Sequence, residues 1–257
     1  MICLIGNVLK ERYCIVEQLG HGGGGSLYLA KGMELGICRA VKEIPIAKKK
    51  EARLMQYLEY PAIPKIIDYM ETGEYCYLIM EYIKGQSLGE LLRSGKRFSL
   101  REILALGKEI ARVLEYLHSR KLPVCYGDLK PDNLMFSETG HLYLIDLGSA
   151  MFDHGKIKQI CEGTKGYAAP EQYQGYLRPG SDIYALGKTL EKLCRKKKWQ
   201  WILYPDFFWF LFRCTRKQEK YRYSDMSVVQ KKIQKLESRY RTITWRKRFL
   251  EAAAAGF

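Results

Sequence analysis

The sequence predicts an α+β protein in two parts: an antiparallel β-sheet with one helix, then a mainly helical region. Two observations predict it. Residues 12–82 are dominated by short β-rich runs broken by glycine and charged turns. Beyond Gly85 the apolar spacing becomes helical, and Ser87 and Ser99 each have a glutamate three residues on, Glu90 and Glu102. That pairing is the capping-box signature of a helix start. At 257 residues the chain suits one compact unit or two closely joined ones.

The elements follow in order. Tyr13–Val16 and Ser26–Ala30 read as strands flanking a glycine cluster, and Ile37–Lys42 is a third strand. A short helix follows from Lys48 to Tyr57, ending ahead of Pro61. Ile66–Glu71 and Tyr75–Tyr82 form two further strands around the turn Thr72-Gly73-Glu74. From Leu100 to Ser119, the residues Ile103, Leu106, Ile110, Leu114 and Leu117 make an apolar stripe at helical spacing. Further helices are expected at Asp182–Cys194, Pro205–Cys214 and Met226–Leu236.

Composition narrows the classes. The 43 basic and 28 acidic residues leave a net charge of +15, which favours anionic partners. Eight scattered cysteines contain no C-x-x-C pair, so they read as free thiols of a reducing compartment and not as a zinc site. The apolar start Met1–Ile5 is too short for a secretory leader. No run reaches the ~18 apolar residues needed to span a bilayer. Trp199–Phe212 comes nearest and is interrupted by Pro205 and Asp206, so a buried helix is expected there.

The chemistry concentrates in Tyr126-Gly127-Asp128-Leu129-Lys130-Pro131-Asp132-Asn133, with Asp146-Leu147-Gly148 arriving later. An Asp and an Asn five apart, plus a second Asp on another turn, supply a proton acceptor and hard oxygen ligands for Mg²⁺. Phosphoryl transfer needs both. The cluster Leu19-Gly20-His21-Gly22-Gly23-Gly24-Gly25-Ser26-Leu27 contains G-x-G-x-x-G. A dinucleotide fingerprint would follow a strand and open a helix. Here β-formers lie on both sides, which makes it a hairpin whose backbone can approach phosphate. Lys42 closes the strand Ala40-Val41-Lys42, twenty-two residues after Gly20.

Together these motifs resemble the eukaryotic-type serine/threonine protein kinases, as a small, bacterial-like member with Gly127 where many relatives carry Arg before the catalytic Asp. The resemblance covers residues 10–237. It implies a two-lobed fold, with the N-lobe at about 10–82, a hinge at about 80–85 and the C-lobe at about 86–237. Residues 238–257 form a basic C-terminal tail outside it. It also implies ATP with Mg²⁺, or alternatively Mn²⁺, and a protein substrate bearing Ser or Thr. By resemblance Asp128 is the catalytic base, Lys130 neutralises the γ-phosphoryl charge, and Asn133 and Asp146 are metal ligands. ATP would lie under Gly20, Gly22 and Gly25, against Leu19, with its phosphates on Lys42. Its adenine would sit between Leu27 and Ala40 above and Met135 below. Met80 stands at the gatekeeper position, and the backbone of Glu81 and Ile83 would read the adenine edge.

Glu51 is the carboxylate expected to hold Lys42, since Glu43 adjoins Lys42 on a strand and points to the opposite face. The nine-residue gap from Lys42 to Glu51 is shorter than usual in the family, which implies a trimmed helix entry. Leu147 replaces the usual Phe and can pack under that helix. Gly163-Thr164-Lys165-Gly166-Tyr167-Ala168-Ala169-Pro170-Glu171 resembles the substrate platform, with Thr164 near Asp128 and Lys130. Glu171, Asp182 and Arg222 are expected in structural roles, Arg222 as the partner of Glu171.

Three rival readings stand beside this one. A pseudokinase or scaffold would bind nucleotide without turnover. A small-molecule kinase is suggested by the thin segment Arg195–Tyr204. A nucleic-acid-binding module rests on net charge alone, and no specific nucleic acid is expected. The tail holds Arg239, Arg241, Arg246, Lys247 and Arg248 with Trp245 and Phe249. It would lie on an anionic membrane, cover another surface, or fray into solvent. The expected location is cytoplasmic or peripheral to a membrane.

Overall fold

The computed structural model describes residues 4–22, 25–153, 163–194 and 204–254, with side chains as far as Tyr240. Gly23, Gly24, Lys156, Lys158, Cys3, Cys161 and most of the thin segment before Tyr204 lie outside the described residues. So do the side chains of the basic tail from Arg241 onward. The chain divides into two compact units: Met1–Gln86 with Leu134–Met151, and Ser87–Asn133 with Phe152–Phe257.

The first unit is a six-stranded antiparallel sheet in the order β1-β2-β3-β4-β6-β5. Its strands are β1 (Val8–Leu9), β2 (Tyr13–Gly22), β3 (Gly25–Gly32), β4 (Cys38–Pro45), β5 (Ile66–Thr72) and β6 (Tyr75–Glu81). The two-residue β1 has no counterpart in the expected strands. Side chains alternate across a strand, and this alternation divides the sheet's work. On one face Ile15, Tyr28, Ala30, Val41 and Ile79 are fully or almost fully buried in one apolar core. On the other face the register sets Leu27 opposite Lys42 and Ala40 opposite Met80. Glu43 falls on the core side, facing Tyr77, as the strand period requires.

Between β4 and β5 a 3₁₀ turn, Ile46–Lys48, runs directly into α1 (Lys50–Tyr57). The abrupt entry places Glu51 in the first turn of the helix, nine residues after Lys42.

The hairpin of Leu134–Ser137 and Leu142–Leu144 belongs to this first unit, although sequence order set it beyond the hinge. Backbone bonds tie it there: Leu144 N–H donates to the Ala62 carbonyl at 2.8 Å and Glu138 N–H to the Lys84 carbonyl at 2.9 Å. Gly85 backs onto the Phe136 carbonyl so closely that a Cβ would fall 1.9 Å from its oxygen.

The second unit is built on α3 (Leu100–His118), whose expected stripe is buried. Both predicted capping boxes are present. Ser87 caps α2 (Leu88–Arg93) and Ser99 caps α3, each side chain accepting from the backbone of a glutamate that bonds back. At Gly107 of α3, a Cβ would stand 3.0 Å from Leu190 and 3.5 Å from Ile233. Glycine there lets α4 (Pro179–Leu193) and the C-terminal helix come close to α3. The helix Pro205–Cys214 packs Phe207, Phe208 and Phe210 inward.

The C-terminal helix also departs from expectation. The last helix, expected to stop at Leu236, continues from Met226 to Ala254. Its sequence past Leu236 holds no proline or glycine before Gly256, so nothing in it breaks the backbone ladder. Side chains past Leu236 also dock: Tyr240 donates to Tyr204 Oη at 2.7 Å, Glu237 pairs with Lys108 at 3.3 Å, and Arg239 pairs with Asp206. No helix among the described residues is long and apolar enough to cross a membrane.

Candidate active site

In the first unit the glycines of the β2–β3 hairpin divide into two kinds. Gly25, at φ +124°, has no room for a Cβ, which would meet the Glu43 carbonyl at 1.9 Å. A Cβ on Gly20 or Gly22 would meet nothing within 4 Å. Packing inside the chain therefore explains Gly25 and leaves Gly20 and Gly22 facing open space. Leu19, just before them, is 39% exposed.

Lys42 is the centre of a charge cluster on the sheet face opposite the core. Its Nζ donates to both Glu51 carboxylate oxygens, at 2.7 and 2.9 Å, and to Asp146 Oδ1 at 2.8 Å. Burial would lower the Lys42 pKa, but the carboxylates of Glu51 and Asp146 outweigh it and hold the ammonium charged above its ordinary value. The Leu147 N–H also donates to Glu51, and the Leu147 side chain is buried. Asp146 adopts φ +63°, a conformation uncommon outside glycine and best tolerated by Asn and Asp. Its Oδ1 accepts from Gly148 N–H at 3.1 Å, and a Cβ on Gly148 would crowd this same oxygen at 3.1 Å.

On the same face Ala40 is buried while Leu27 and Met80 are half-buried, and Met135, on the Leu134–Ser137 strand, is half-buried as well. Glu81 N–H is committed to the Lys65 carbonyl at 2.8 Å. Ile83 makes no hydrogen bond among the described residues.

The second unit gathers Asp128, Lys130, Asn133 and Thr164. Lys130 Nζ donates to Asp128 Oδ2 and to Thr164 Oγ1, both at 2.7 Å. Thr164 N–H donates to Asp128 Oδ1 at 2.9 Å, so Thr164 holds both partners. Asn133 Nδ2 donates to the Asp128 carbonyl at 2.9 Å and to Asp128 Oδ2 at 3.2 Å. Turning its amide nitrogen onto Asp128 points the Asn133 carbonyl oxygen the other way.

Below this cluster the fully buried Asp182 accepts from Tyr126 N–H at 2.8 Å and Gly127 N–H at 2.9 Å. Gly127 stands at φ +81°, where a side chain would be strained. Glu171 takes Arg222 in a two-bond fork at 2.6 and 2.8 Å and accepts from Ser181 Oγ at 2.8 Å. Burial pushes the Glu171 carboxyl up, yet these donors win and hold it below the ordinary carboxylate value. Arg222 spends its remaining N–H groups on the carbonyls of Arg216, Gly180 and Lys217.

Two supports are not visible in the sequence pattern. Gln172 donates to the Gly127 carbonyl at 2.8 Å and accepts from Ala169 N–H at 2.9 Å. His118 Nε2 meets Asp182 Oδ2 at 2.8 Å. Neither belongs to a spacing rule. Each is found only through the backbone atom or carboxylate that the fold brings to it.

Each unit by itself offers a hard oxygen donor of the kind a divalent cation takes: the half-exposed Asp146 carboxylate in the first, the Asn133 amide oxygen in the second. Among the described residues no three His, Cys, Asp or Glu side chains gather into a metal cage. Mg²⁺ needs none, because it usually takes one or two protein oxygens alongside phosphate and water.

A protein kinase domain model matches residues 13–237. Curated relatives include the serine/threonine-protein kinase PknD of Chlamydia muridarum, 30% identical over 76% of this chain and 26% of its own length. RUNKEL, a serine/threonine-protein kinase of Arabidopsis thaliana, is 32% identical over 70% of this chain and 14% of its own. PknA of Mycobacterium tuberculosis, also a serine/threonine-protein kinase, is 32% identical over 71% of this chain and 46% of its own. The chain thus spans less than half the length of each of these relatives.

Proposed function

The chain belongs to the protein kinase family, and on that premise we propose that it transfers the γ-phosphoryl group of Mg-ATP to a serine or threonine hydroxyl of a protein. One observation carries the reading: Lys130 Nζ bridges Asp128 Oδ2 and Thr164 Oγ1, both at 2.7 Å. Asp128 is then oriented to accept the hydroxyl proton as the oxygen attacks. Lys130 stays beside it as a cation for the charge on the transferring group. Thr164, holding both, is a serine/threonine-class feature.

Lys42, kept charged by Glu51 and Asp146, takes the α and β phosphates. Gly20 and Gly22, which no internal packing explains, let the hairpin backbone approach the phosphates closely. Leu27, Ala40, Met80 and Met135 offer apolar surface for adenine, and the uncommitted backbone of Ile83 can read its edge. Asn133 and Asp146 would each offer an oxygen to Mg²⁺, which would supply positive charge against the phosphates. Most of the acceleration comes from positioning and charge neutralisation.

The test is transfer of labelled γ-phosphate to generic acidic and basic proteins. Asp128→Asn should lose at least ~10²-fold in kcat. Lys42→Met and Asp146→Asn should abolish transfer while keeping a cooperative thermal transition, lowered in Lys42→Met because the buried Glu51 loses its cation. Phosphoamino-acid analysis should return phosphoserine or phosphothreonine. Wild-type turnover in Asp128→Asn would overturn the assignment, and Mg-ATP binding without transfer to any protein would favour a nucleotide-binding scaffold.

A further inference from the structure

We propose that a cavity beside the catalytic loop receives acidic side chains of the protein substrate, so that the phosphoacceptor lies in a carboxylate-rich sequence. This rests on the kinase reading above and deepens it by naming the substrate class. The cavity, of about 720 Å³, lies wholly in the second unit. Leu92, Pro131 and Tyr167 give it apolar wall, enough to cover the methylene stems of one or two side chains.

Its charged wall decides the sign. Four cations, Arg93, Lys165, Lys188 and Lys192, face two carboxylates, Asp132 and Glu191. Both carboxylates are already neutralised: Arg93 Nη1 lies 2.5 Å from Asp132 Oδ1, and Lys188 Nζ lies 2.5 Å from Glu191 Oε2. Lys165 and Lys192 make no ion pair among the described residues. Among the described residues, a basic substrate side chain would find no carboxylate without a cation, whereas an acidic one would find two ammonium groups without a counter-charge.

The position makes this a substrate cavity. Lys165 follows Thr164, whose N–H bonds Asp128, and Asp132 stands four residues past Asp128 on the same loop. An extended peptide advances about 3.3 Å per residue. Its hydroxyl on Asp128 would therefore put flanking residues, a few positions away, at the cavity.

The experiment uses matched peptides with one serine and Glu, Gln or Lys at successive flanking positions, read as kcat/KM. Alanine versions of the same peptides are measured for binding by fluorescence anisotropy. For at least one position the wild type should favour Glu over Gln by ~10-fold or more, with the preference shrinking as salt is raised. The double variant Lys165→Glu/Lys192→Glu should reverse it toward Lys. Equal binding of Glu and Gln peptides at every position, or an unchanged preference in the double variant, would overturn the proposal. So would displacement of the Glu peptide by a single-stranded oligonucleotide at equal charge, since the cavity would then read bare anionic charge. Binding with the expected preference but no phosphate on any serine peptide would support the acidic cavity and reject the kinase reading.

Discussion

Glu171 and Arg222 illustrate at the residue scale how a charge survives out of water. The Arg222 side chain is fully buried, and every one of its hydrogen bonds lands on an oxygen. Removing one partner strands the other, which typically costs about 3–5 kcal/mol. We expect Glu171→Gln to lose on the order of 3 kcal/mol at pH 7 by urea unfolding. The Glu171 pKa is depressed, so its contribution is complete above the unfolded-state value near 4.5 and fades as pH falls through the lower folded value. The gap between wild type and variant should therefore narrow below pH 4.5; a gap unchanged down to pH 3 would reject the pair as its source. The partnership itself was legible, because an Arg after the helical region and the glutamate of Ala-Pro-Glu are a family pair. The carbonyls that make it affordable were not, because they depend on where distant loops end.

Elements show the same division. Ser87 and Ser99 announced their helices through the glutamate three residues on, and both boxes close in the folded chain. Ser99→Ala should cost about 1 kcal/mol of stability in thermal or chemical unfolding, while Ser99→Asp should stay near wild type. A neutral Ser99→Ala would mean that α3 draws its start from packing alone. The nine-residue step from Lys42 to Glu51 is met by running a 3₁₀ turn straight into α1. The C-terminal helix was expected only to Leu236, although Tyr240 and Ile243 continue the helical spacing of Val229, Ile233 and Leu236. Past Leu236, Tyr240 bonds and packs against Tyr204, and Glu237 pairs with Lys108. Which partners these side chains meet cannot be read from periodicity.

For the whole molecule, the question is whether activity waits for a phosphate. Between Asp146 and Glu171 the hydroxyl residues are Ser149, Thr164 and Tyr167. Thr164 is engaged by Lys130. We propose that Gly127 stands in for the Arg that would receive a loop phosphate; its φ of +81° suits glycine, and its N–H and carbonyl are both bonded. We expect phosphatase-treated and untreated protein to have the same kcat at saturating ATP, and Ser149→Ala to match them. A drop of ~10-fold or more on treatment, about 1.4 kcal/mol of transition-state stabilisation, would show a phosphate-dependent switch.

The sequence by itself marked most of the strands and helices and named the candidate reactive groups. Strand and helix follow from period and caps, which are local, and the reactive groups follow from motifs whose spacing lies within one loop or turn. Only the tertiary structure brought Asp146 to Lys42, 104 residues apart, whereas Thr164 beside Lys130, 34 apart, was already expected from the resemblance. It also assigned Leu134–Met151 to the sheet-bearing unit and closed the ion pairs that leave Lys165 and Lys192 without a counter-charge among the described residues. The reason is physical. Local patterns encode the conformation of a few bonded neighbours, whereas the pairing of charges depends on packing that brings distant segments within about 3 Å.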